Sequence, residues 1–283
     1  MKRVLLIGGS GQLGTAIRRG WTDCEIIAPA HAELALEQTP QLRGAFDRIR
    51  PDVLVNAAAF HDVDRCEEEP ERAFAINAFA VGAAARLARD YGVLFVTIST
   101  DYVFDGMASV PYAEDAPTHP LSLYGMSKLA GEYLVERSGA RVFVVRTCGL
   151  YGVGASSSRR PLIDRVLRRC AGAAPLRVVG DVFASPTFAG DLAVALRRLV
   201  EGQAYGLYHA VNVGPVSWYD FACAAIDLAG GKLGVEPISA AQWKTGAVRP
   251  RFSALENARL GTLGITMPSW RAGIAAYLGL PVR

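Results

Sequence analysis

The feature that most limits the fold of this chain lies at its start, where an apolar run is followed by three evenly spaced glycines. Residues 4–7 read Val-Leu-Leu-Ile, and Gly8, Gly11 and Gly14 precede a helical pattern that continues to residue 19. A strand, a turn with this spacing and a helix make the phosphate-binding unit of dinucleotide folds. The first two glycines permit a tight turn and a close approach of the backbone to a pyrophosphate, and the third lets helix and strand pack closely. We therefore predict that Gly8, Gly11, Gln12, Leu13 and Gly14 bind a dinucleotide.

Short apolar runs alternate with helical patterns along the first half of the chain. The runs lie at residues 4–7, 25–28, 53–56, 94–98 and 142–146, and the stretches between them are rich in Ala, Arg and Leu. Apolar strands that alternate with helices form a parallel sheet covered on both faces. This pattern predicts an α/β protein with a doubly wound parallel sheet of the Rossmann type.

The second half of the chain is less regular and predicts a second, smaller α/β lobe interleaved with the first. Residues 152–158 have the composition of a flexible loop, residues 161–171 and 191–201 look helical, and residues 176–179 look like a strand. We predict a dinucleotide-binding domain over residues 1–150 with returning segments at about 176–230. The substrate lobe is predicted over residues 151–175 and 231–283. The sequence does not predict whether the loop at residues 152–160 is ordered.

A tyrosine and a lysine four residues apart, Tyr124 and Lys128, form a candidate catalytic pair. On a helix they share a face, so we expect the ammonium to lower the pKa of the phenol towards neutrality. Taken alone, the pattern is more often a surface tyrosine beside a solvated lysine than a catalytic pair. Polar residues after two of the apolar runs, at Asn56 and at Ser99-Thr100-Asp101, strengthen the catalytic interpretation because ligands of doubly wound sheets bind at the carboxyl ends of the strands.

Longer motifs carry a resemblance to a known family. They are DVLVNAAA at residues 52–59, STDYVFDG at 99–106, PLSLYGMSKLAGE at 120–132, SPT at 185–187, SWYDFA at 217–222 and RP at 249–250. Together with the glycine turn, they resemble the extended short-chain dehydrogenase/reductase superfamily and, within it, the dTDP-4-dehydrorhamnose reductase family of nucleotide-sugar reductases. The resemblance covers nearly the whole chain.

The resemblance implies an NAD(P)H-dependent oxidoreductase of deoxysugar biosynthesis. Thr100 would hydrogen-bond the substrate carbonyl, Tyr124 would deliver a proton to it, and Lys128 would hold the ribose hydroxyls and tune the tyrosine. The implied reaction reduces the C4 ketone of a nucleotide-linked 6-deoxyhexose, with dTDP-4-dehydro-L-rhamnose giving dTDP-L-rhamnose as the first expectation. Dehydratases of this fold carry an Asp-Glu pair after the threonine, whereas this chain has Asp101-Tyr102. A nucleotide-sugar epimerase, a reductase of another 4-ketosugar and a non-catalytic NAD(P)-binding regulatory subunit remain open.

The remaining site residues are predicted as two sets. Further cofactor contacts are expected from His31, Asn56, Ala57, Ala58, Asn77 and Ser99, with a structural role also considered for Asn77. Substrate contacts are expected from Val63, Asp101, Tyr102, Val103, Phe104, Gly149, Tyr151 and Arg249. Many family members carry tryptophan where this chain has Gly149, so an aromatic wall of the sugar pocket is expected to be missing. For Trp218 we expect ordinary helix packing.

The choice of cofactor follows from the end of the second predicted strand. NAD specificity usually depends on a carboxylate about twenty residues beyond the glycines, but here Pro29-Ala30-His31 follows the strand. NADPH is therefore preferred, and NADH stays open because Glu33 is near. Some relatives carry acidic residues for a bridging magnesium where this chain has Ala16 and Gly190, so no required metal is predicted.

Composition excludes several classes of protein. A net charge of +3 with interspersed acids and bases gives no reason to expect nucleic-acid or membrane binding. Five scattered cysteines without CxxC spacing indicate neither a disulfide framework nor a zinc site. No apolar run has the length of a signal-peptide core or a membrane span. We predict a cytoplasmic protein whose partner is a nucleotide-sugar substrate, and a homodimer is compatible with the sequence.

Overall fold

The computed structural model describes residues 1–154, 162–169, 175–243 and 245–281. Its strands are β1 (Lys2–Ile7), β2 (Cys24–Ile27), β3 (Val53–Asn56), β4 (Leu94–Thr100), β5 (Val142–Thr147), β6 (Leu176–Val179), β7 (Phe183–Ala184), β8 (Gly206–His209), β9 (Val216–Ser217) and β10 (Val235–Ile238). Its helices are α1 (Gln12–Gly20), α2 (Thr39–Ile49), α3 (Val63–Glu68), α4 (Pro70–Phe74), α5 (Val81–Asp90), α6 (Leu123–Glu136), α7 (Leu162–Arg169), α8 (Ala189–Glu201), α9 (Trp218–Leu228), α10 (Ala258–Thr262) and α11 (Trp270–Tyr277).

The main sheet confirms the predicted fold class. Six strands pair in parallel in the order β2-β1-β3-β4-β5-β8. The order reverses between β1 and β3, and this switch point opens a crevice beyond the carboxyl ends of the strands, where doubly wound sheets bind their ligands. The end of β4 meets the end of β5 in register, with Thr100 opposite Thr147.

Both faces of the sheet are covered, as the apolar runs predicted. Alternate residues of a strand point to opposite faces, so Val4 and Leu6 join a core cluster with α1 and α8, whereas Leu5 and Ile7 join another with α2 and α5. All four of these side chains are buried. The sheet is therefore rigid where its carboxyl ends meet the crevice.

The Ala-rich stretch at residues 70–90 is not one regular α-helix. Between α4 and α5 the chain forms a π-helical segment, Ala75–Ala80. Helix α6 crosses it so closely that a Cβ on Gly131 would lie 2.3 Å from the carbonyl oxygen of Asn77. Single π-helical turns of this kind often occur near functional sites, and this one supports the helix that carries Tyr124 and Lys128.

The second lobe gathers around its own apolar core. Strand β6 pairs in parallel with β10, β7 pairs antiparallel with β9, and α7, α9 and α11 pack around residues such as Val178, Phe221 and Ile274. The helix predicted at residues 161–171 is observed as Leu162–Arg169, and the question of order in the loop at residues 152–160 falls outside the described residues from 155 onwards. In the described ranges, no helix combines the length and the apolar character needed to cross a bilayer.

Candidate active site

The glycine turn between β1 and α1 has the geometry that a bound pyrophosphate requires. Gly8 has φ of 82°, and its carbonyl accepts a 3.1 Å hydrogen bond from the Gly11 amide. A Cβ on Gly14 would lie only 2.2 Å from the Gly8 carbonyl oxygen, so only glycine lets α1 approach the strand this closely. The first amides of α1 follow directly, and helix N-termini favour anions. The turn therefore fits a dinucleotide, with Leu13 limited to a backbone contact because its side chain is buried.

The segment after β3 forms the opposite side of this turn. Asn56 is fully buried, accepts a 3.1 Å hydrogen bond from the Ala58 amide and donates to Thr97 Oγ1 at 3.3 Å. The backbone of Ala57 and Ala58 lies so close to Gly8 that a Cβ there would come within 2.8 Å of it. Asn56 consequently acts by holding Ala57 and Ala58 beside the glycine turn.

Two chain segments bring the predicted catalytic residues together at the end of β4. Tyr124 lies in the first turn of α6, whose N-terminus is fixed because Ser122 Oγ accepts from Gly125 N at 3.2 Å and Glu67 Oε1 accepts from Leu123 N at 2.8 Å. The phenol of Tyr124 lies near enough to the Thr100 hydroxyl for that hydroxyl to lower its pKa in part. A substrate carbonyl can therefore meet both hydroxyls at one point.

Lys128 lies one turn further along α6, but its ammonium does not acidify the tyrosine. The ammonium donates a 2.6 Å hydrogen bond to the Ile98 carbonyl. Burial lowers the pKa of Lys128 to about 8, against the opposing effect of Glu132. Burial also raises the pKa of Tyr124, and the Thr100 hydroxyl only reduces that shift. The predicted lowering of the phenol pKa by Lys128 is therefore wrong in this structure, and Tyr124 carries its proton at neutral pH.

Behind Thr100 lies a buried polar cluster that sequence reasoning missed. Asp101 Oδ1 accepts from Thr100 Oγ1 and Asp101 Oδ2 accepts from Cys148 Sγ, both at 3.0 Å, and Ser253 makes a further hydrogen bond to the carboxylate. Burial raises the pKa of Asp101, while these three hydrogen bonds oppose that rise. The cluster fixes the Thr100 side chain. Thr100 and Asp101 belong to a predicted motif, whereas Cys148 and Ser253 come from distant segments and were missed.

Two of the predicted cofactor contacts have their side chains occupied elsewhere. The amide of Asn77 is fully used, because it accepts from Phe60 N and donates to Phe60 O and Ser127 Oγ at 2.9 to 3.0 Å. These hydrogen bonds support the structural role considered for Asn77, and its cofactor contact stays a prediction. The Ser99 hydroxyl donates to Glu132, which pairs with buried Arg146 at 2.7 Å. Ser99 thus joins an internal network that runs beneath the crevice.

Three of the predicted substrate contacts have buried side chains, and their contact with the sugar stays a prediction. Val103 and Phe104 are fully buried, and the Phe104 ring stacks on Tyr112 with centroids 4.2 Å apart. Tyr151 is 1% exposed and lies among aromatic rings of the second lobe, with Phe221 at 5.5 Å. All three side chains pack in hydrophobic clusters, and a comparison of sequence motifs cannot reveal this packing.

The expected gap beside Gly149 is filled from the second lobe. Gly149 is exposed at the crevice with φ of 50°, and a Cβ there would lie 2.6 Å from the Cη2 atom of Trp218. The Trp218 indole is half-buried, and it also meets the Phe221 ring edge-on at 6.0 Å, as ordinary helix packing predicts. An aromatic ring therefore stands beside position 149 although residue 149 has no side chain.

The mouth of the crevice is bridged by Asp64 and Arg249. Asp64 Oδ1 accepts from Arg249 Nη2 at 3.0 Å and from the Ala247 amide at 3.1 Å, which joins α3 to the second lobe. The Arg249 side chain is 26% exposed, so part of its guanidinium remains accessible. Val63 begins the same helix and is half-buried, and Tyr102 lies with its ring 5.8 Å from that of Tyr124.

The doubly wound sheet and this crevice define a dinucleotide-binding α/β protein of the short-chain dehydrogenase/reductase type. The model of the RmlD substrate binding domain family matches residues 1–280, and the chain belongs to that family. The resemblance predicted from the motifs is thereby confirmed.

Individual relatives match over nearly the full length of the chain. It is 34% identical over 280 residues to the spore coat polysaccharide biosynthesis protein SpsK of Bacillus subtilis (strain 168), covering 98% of this chain and 97% of that protein. It is 34% identical over 281 residues to a dTDP-4-dehydrorhamnose reductase of Sinorhizobium fredii, covering 95% and 94%. A crystal structure of dTDP-4-dehydrorhamnose reductase from Bacillus anthracis in complex with NADP superposes with a TM-score of 0.94 at 32% identity, over 98% of both chains.

Proposed function

We propose that this protein is an NAD(P)H-dependent oxidoreductase that reduces the C4 ketone of a nucleotide-linked 6-deoxyhexose, converting dTDP-4-dehydro-L-rhamnose to dTDP-L-rhamnose. The observation that carries the proposal is the proximity of the Thr100 and Tyr124 hydroxyls at the carboxyl edge of the sheet, beside a glycine turn. Membership of the family and the reductases among its relatives support it.

The chain's own residues prepare and protonate the carbonyl. Tyr124 holds its proton at neutral pH and releases it to the carbonyl oxygen as negative charge develops there. In the structure Thr100 donates its hydroxyl proton to Asp101, and it would donate to the substrate oxygen instead when the sugar is bound. Lys128 retains its ammonium below pH about 8 and holds the ribose hydroxyls. The reduced nicotinamide, when bound, supplies the hydride.

The cofactor contacts come from the glycine turn and the strand ends. Gly8, Gly11, Gln12 and the backbone of Leu13 would hold the pyrophosphate, with Ala57 and Ala58 beside it. NADPH is favoured and NADH is accepted, in line with the NADP complex of the Bacillus anthracis relative.

The substrate contacts come from several segments of the chain. Tyr102, Gly149 and Trp218 would enclose the sugar, Val63 would border it, and Arg249 would hold the diphosphate through the donors that Asp64 leaves accessible. The proposal keeps residues 1–150 as the dinucleotide domain and 151–175 and 231–283 in the substrate lobe. Of the predicted returning segment at 176–230, only α8 and β8 join the first domain, whereas β6, β7, β9 and α9 pack with the substrate lobe.

We also propose a cytoplasmic location, and a homodimer stays compatible with the sequence. The thiols of Cys24, Cys66, Cys148 and Cys223 are free, which suits a reducing compartment.

An assay of cofactor oxidation tests the function directly. Purified protein is mixed with NADPH or NADH and a panel of dTDP-, UDP- and GDP-linked 4-ketosugars, and the loss of reduced nicotinamide absorbance is followed. We expect the fastest oxidation with dTDP-4-dehydro-L-rhamnose and NADPH. Turnover to an epimer without net oxidation would replace the proposal with an epimerase, and binding of NADPH without any turnover would replace it with a regulatory subunit.

A further inference from the structure

Three separate pieces of the chain converge beside the second residue of the glycine turn. A Cβ built on Gly9 would lie 2.7 Å from the Cβ of Ala28, the residue after β2, and 3.7 Å from the Cδ of Arg18 on α1. The Arg18 stem therefore runs along the glycine turn towards the end of β2. A side chain at position 9 would close this space, so the glycine keeps it open.

This is the place where dinucleotide folds distinguish their two cofactors. The ribose of the adenosine half lies at the end of the second strand, where a carboxylate selects the free 2′-hydroxyl and an arginine accommodates a 2′-phosphate. The first carboxylate after β2 is Glu33, and its Oε2 accepts a 2.9 Å hydrogen bond from the Ala30 amide. Glu33 thus stabilises the turn that contains it. Residues 28–30, Ala-Pro-Ala, carry no charged side chain that could face the ribose.

Arg18 is the cation that faces this space. Its side chain is exposed, and within the described ranges its guanidinium has no hydrogen bond or ion pair. Other exposed arginines, such as Arg72 with Glu69 at 2.9 Å, are already paired. A guanidinium with free donors matches the oxygens of a phosphate in a bidentate manner. His31, also exposed, lies in the turn that follows β2 and can add a donor.

We propose that Arg18, assisted by His31, binds the 2′-phosphate of NADPH and sets the preference of this protein for the phosphorylated cofactor. The proposal rests on the cofactor part of the proposed function. It is independent of the sugar, because it concerns a phosphomonoester at the far end of the dinucleotide from the reacting carbonyl. It adds Arg18, which the sequence motifs did not single out, to the binding site.

Binding measurements test the proposal without turnover. Calorimetry gives the Kd of NADPH, NADH, 2′,5′-ADP and 5′-ADP for the wild type, Arg18→Gln and Arg19→Gln. Arg19 is the matched control because it is the next residue of the same helix, equally exposed, but rotated by about 100° towards the groove between α1 and α8. Thermal melts of the three proteins verify that each is folded.

The expected pattern separates the phosphate from the remainder of the cofactor. Arg18→Gln weakens NADPH and 2′,5′-ADP by about tenfold or more and leaves NADH and 5′-ADP within about twofold, while Arg19→Gln changes none of them. The proposal is overturned if Arg18→Gln weakens both cofactors equally, if Arg19→Gln has the same effect, or if the wild type shows no preference for NADPH. Failure of the ketosugar assay with a normal Arg18 result would instead refute the proposed substrate alone.

Discussion

In the cofactor half of the crevice the chain presents backbone, whereas in the substrate half it presents side chains. The cofactor half comprises the glycine turn and the Ala57–Ala58 backbone. A Cβ added to Gly8 or Gly14 would lie within 3 Å of main-chain atoms of this half. The substrate half is assembled from remote pairs: Asp64 with Arg249, and Gly149 with Trp218. The two halves meet at Thr100 and Tyr124.

The two halves should tolerate different substitutions. A site made of backbone depends little on side-chain identity, but an atom added at its glycines would overlap neighbouring atoms because the packing is close. A wall made of side chains can change its shape one residue at a time, so it can adapt to different sugars. We therefore expect variants of the two halves to alter different kinetic constants.

Replacement of Tyr124 at the junction should have the greatest effect. Tyr124→Phe removes the proton donor, and we expect kcat to fall about 10²- to 10⁴-fold with the Kd of NADPH nearly unchanged. Tyr102→Phe is the control, since its ring lies 5.8 Å from that of Tyr124, and it should keep most of the activity. Stopped-flow single-turnover rates separate the chemical step from product release. A Tyr124→Phe rate close to that of the wild type would show that Tyr124 is not the proton donor.

A single added methyl should disable the cofactor half. Gly14→Ala would place a Cβ 2.2 Å from the Gly8 carbonyl oxygen, and relief of such an overlap costs about 1–3 kcal/mol. We expect NADPH binding to weaken by about ten- to a hundredfold, measured by calorimetry. Gly20→Ala, at the end of the same helix with open space around it, should bind normally. Equal binding by both variants would show that the tight turn is dispensable.

Removal of the indole should affect only the substrate half. Trp218→Ala opens the wall beside Gly149, so we expect the KM for the ketosugar to rise about tenfold while the Kd of NADPH stays the same. Tyr219→Ala, the neighbouring position on α9, serves as the comparison and should leave KM near the wild-type value. If NADPH affinity fell together with sugar affinity, the two halves would not be independent.

A smaller effect should follow from pH. Burial lowers the pKa of Lys128 to about 8, so its ammonium is present below that pH and is lost above it. Between pH about 7 and about 9, the hydrogen bonds to the ribose lose their charge, and we expect NADPH affinity to fall about fivefold. Titration calorimetry across this range should show the decline in the wild type, and Lys128→Met should bind more weakly with a flat profile. If the NADPH affinity of the wild type did not change over this pH range, Lys128 would not be a charged contact of the cofactor.

The sequence predicted best where local chemistry decides the structure. The spacing of Gly8, Gly11 and Gly14 and the apolar runs were sufficient for the glycine turn and the parallel sheet, because these patterns depend on neighbouring residues; the strand order appears only in the structure. Strand ends shifted by one or two positions, for example from residues 25–28 to Cys24–Ile27, since pairing with β1 rather than hydropathy sets them.

Tertiary packing explains the features of the site that the sequence did not predict. Nothing local shows that Tyr151 is enclosed by rings of α9 and α11, or that the Trp218 indole reaches Gly149. The pKa of Tyr124 was predicted from helix geometry alone, but the cost of burying the phenolate exceeds the influence of a lysine that points to Ile98. Arg18 was missed because its relation to Ala28 appears only once β2 is placed beside β1.

A crystal structure with NADP⁺ and dTDP-L-rhamnose would show directly whether Tyr124 and Thr100 contact the reacting oxygen. We expect the sugar O4 to lie about 3 Å from both Tyr124 Oη and Thr100 Oγ1, with the pyrophosphate on the glycine turn. A sugar O4 well beyond about 3.5 Å from the Tyr124 hydroxyl, or a dinucleotide bound away from that turn, would contradict it.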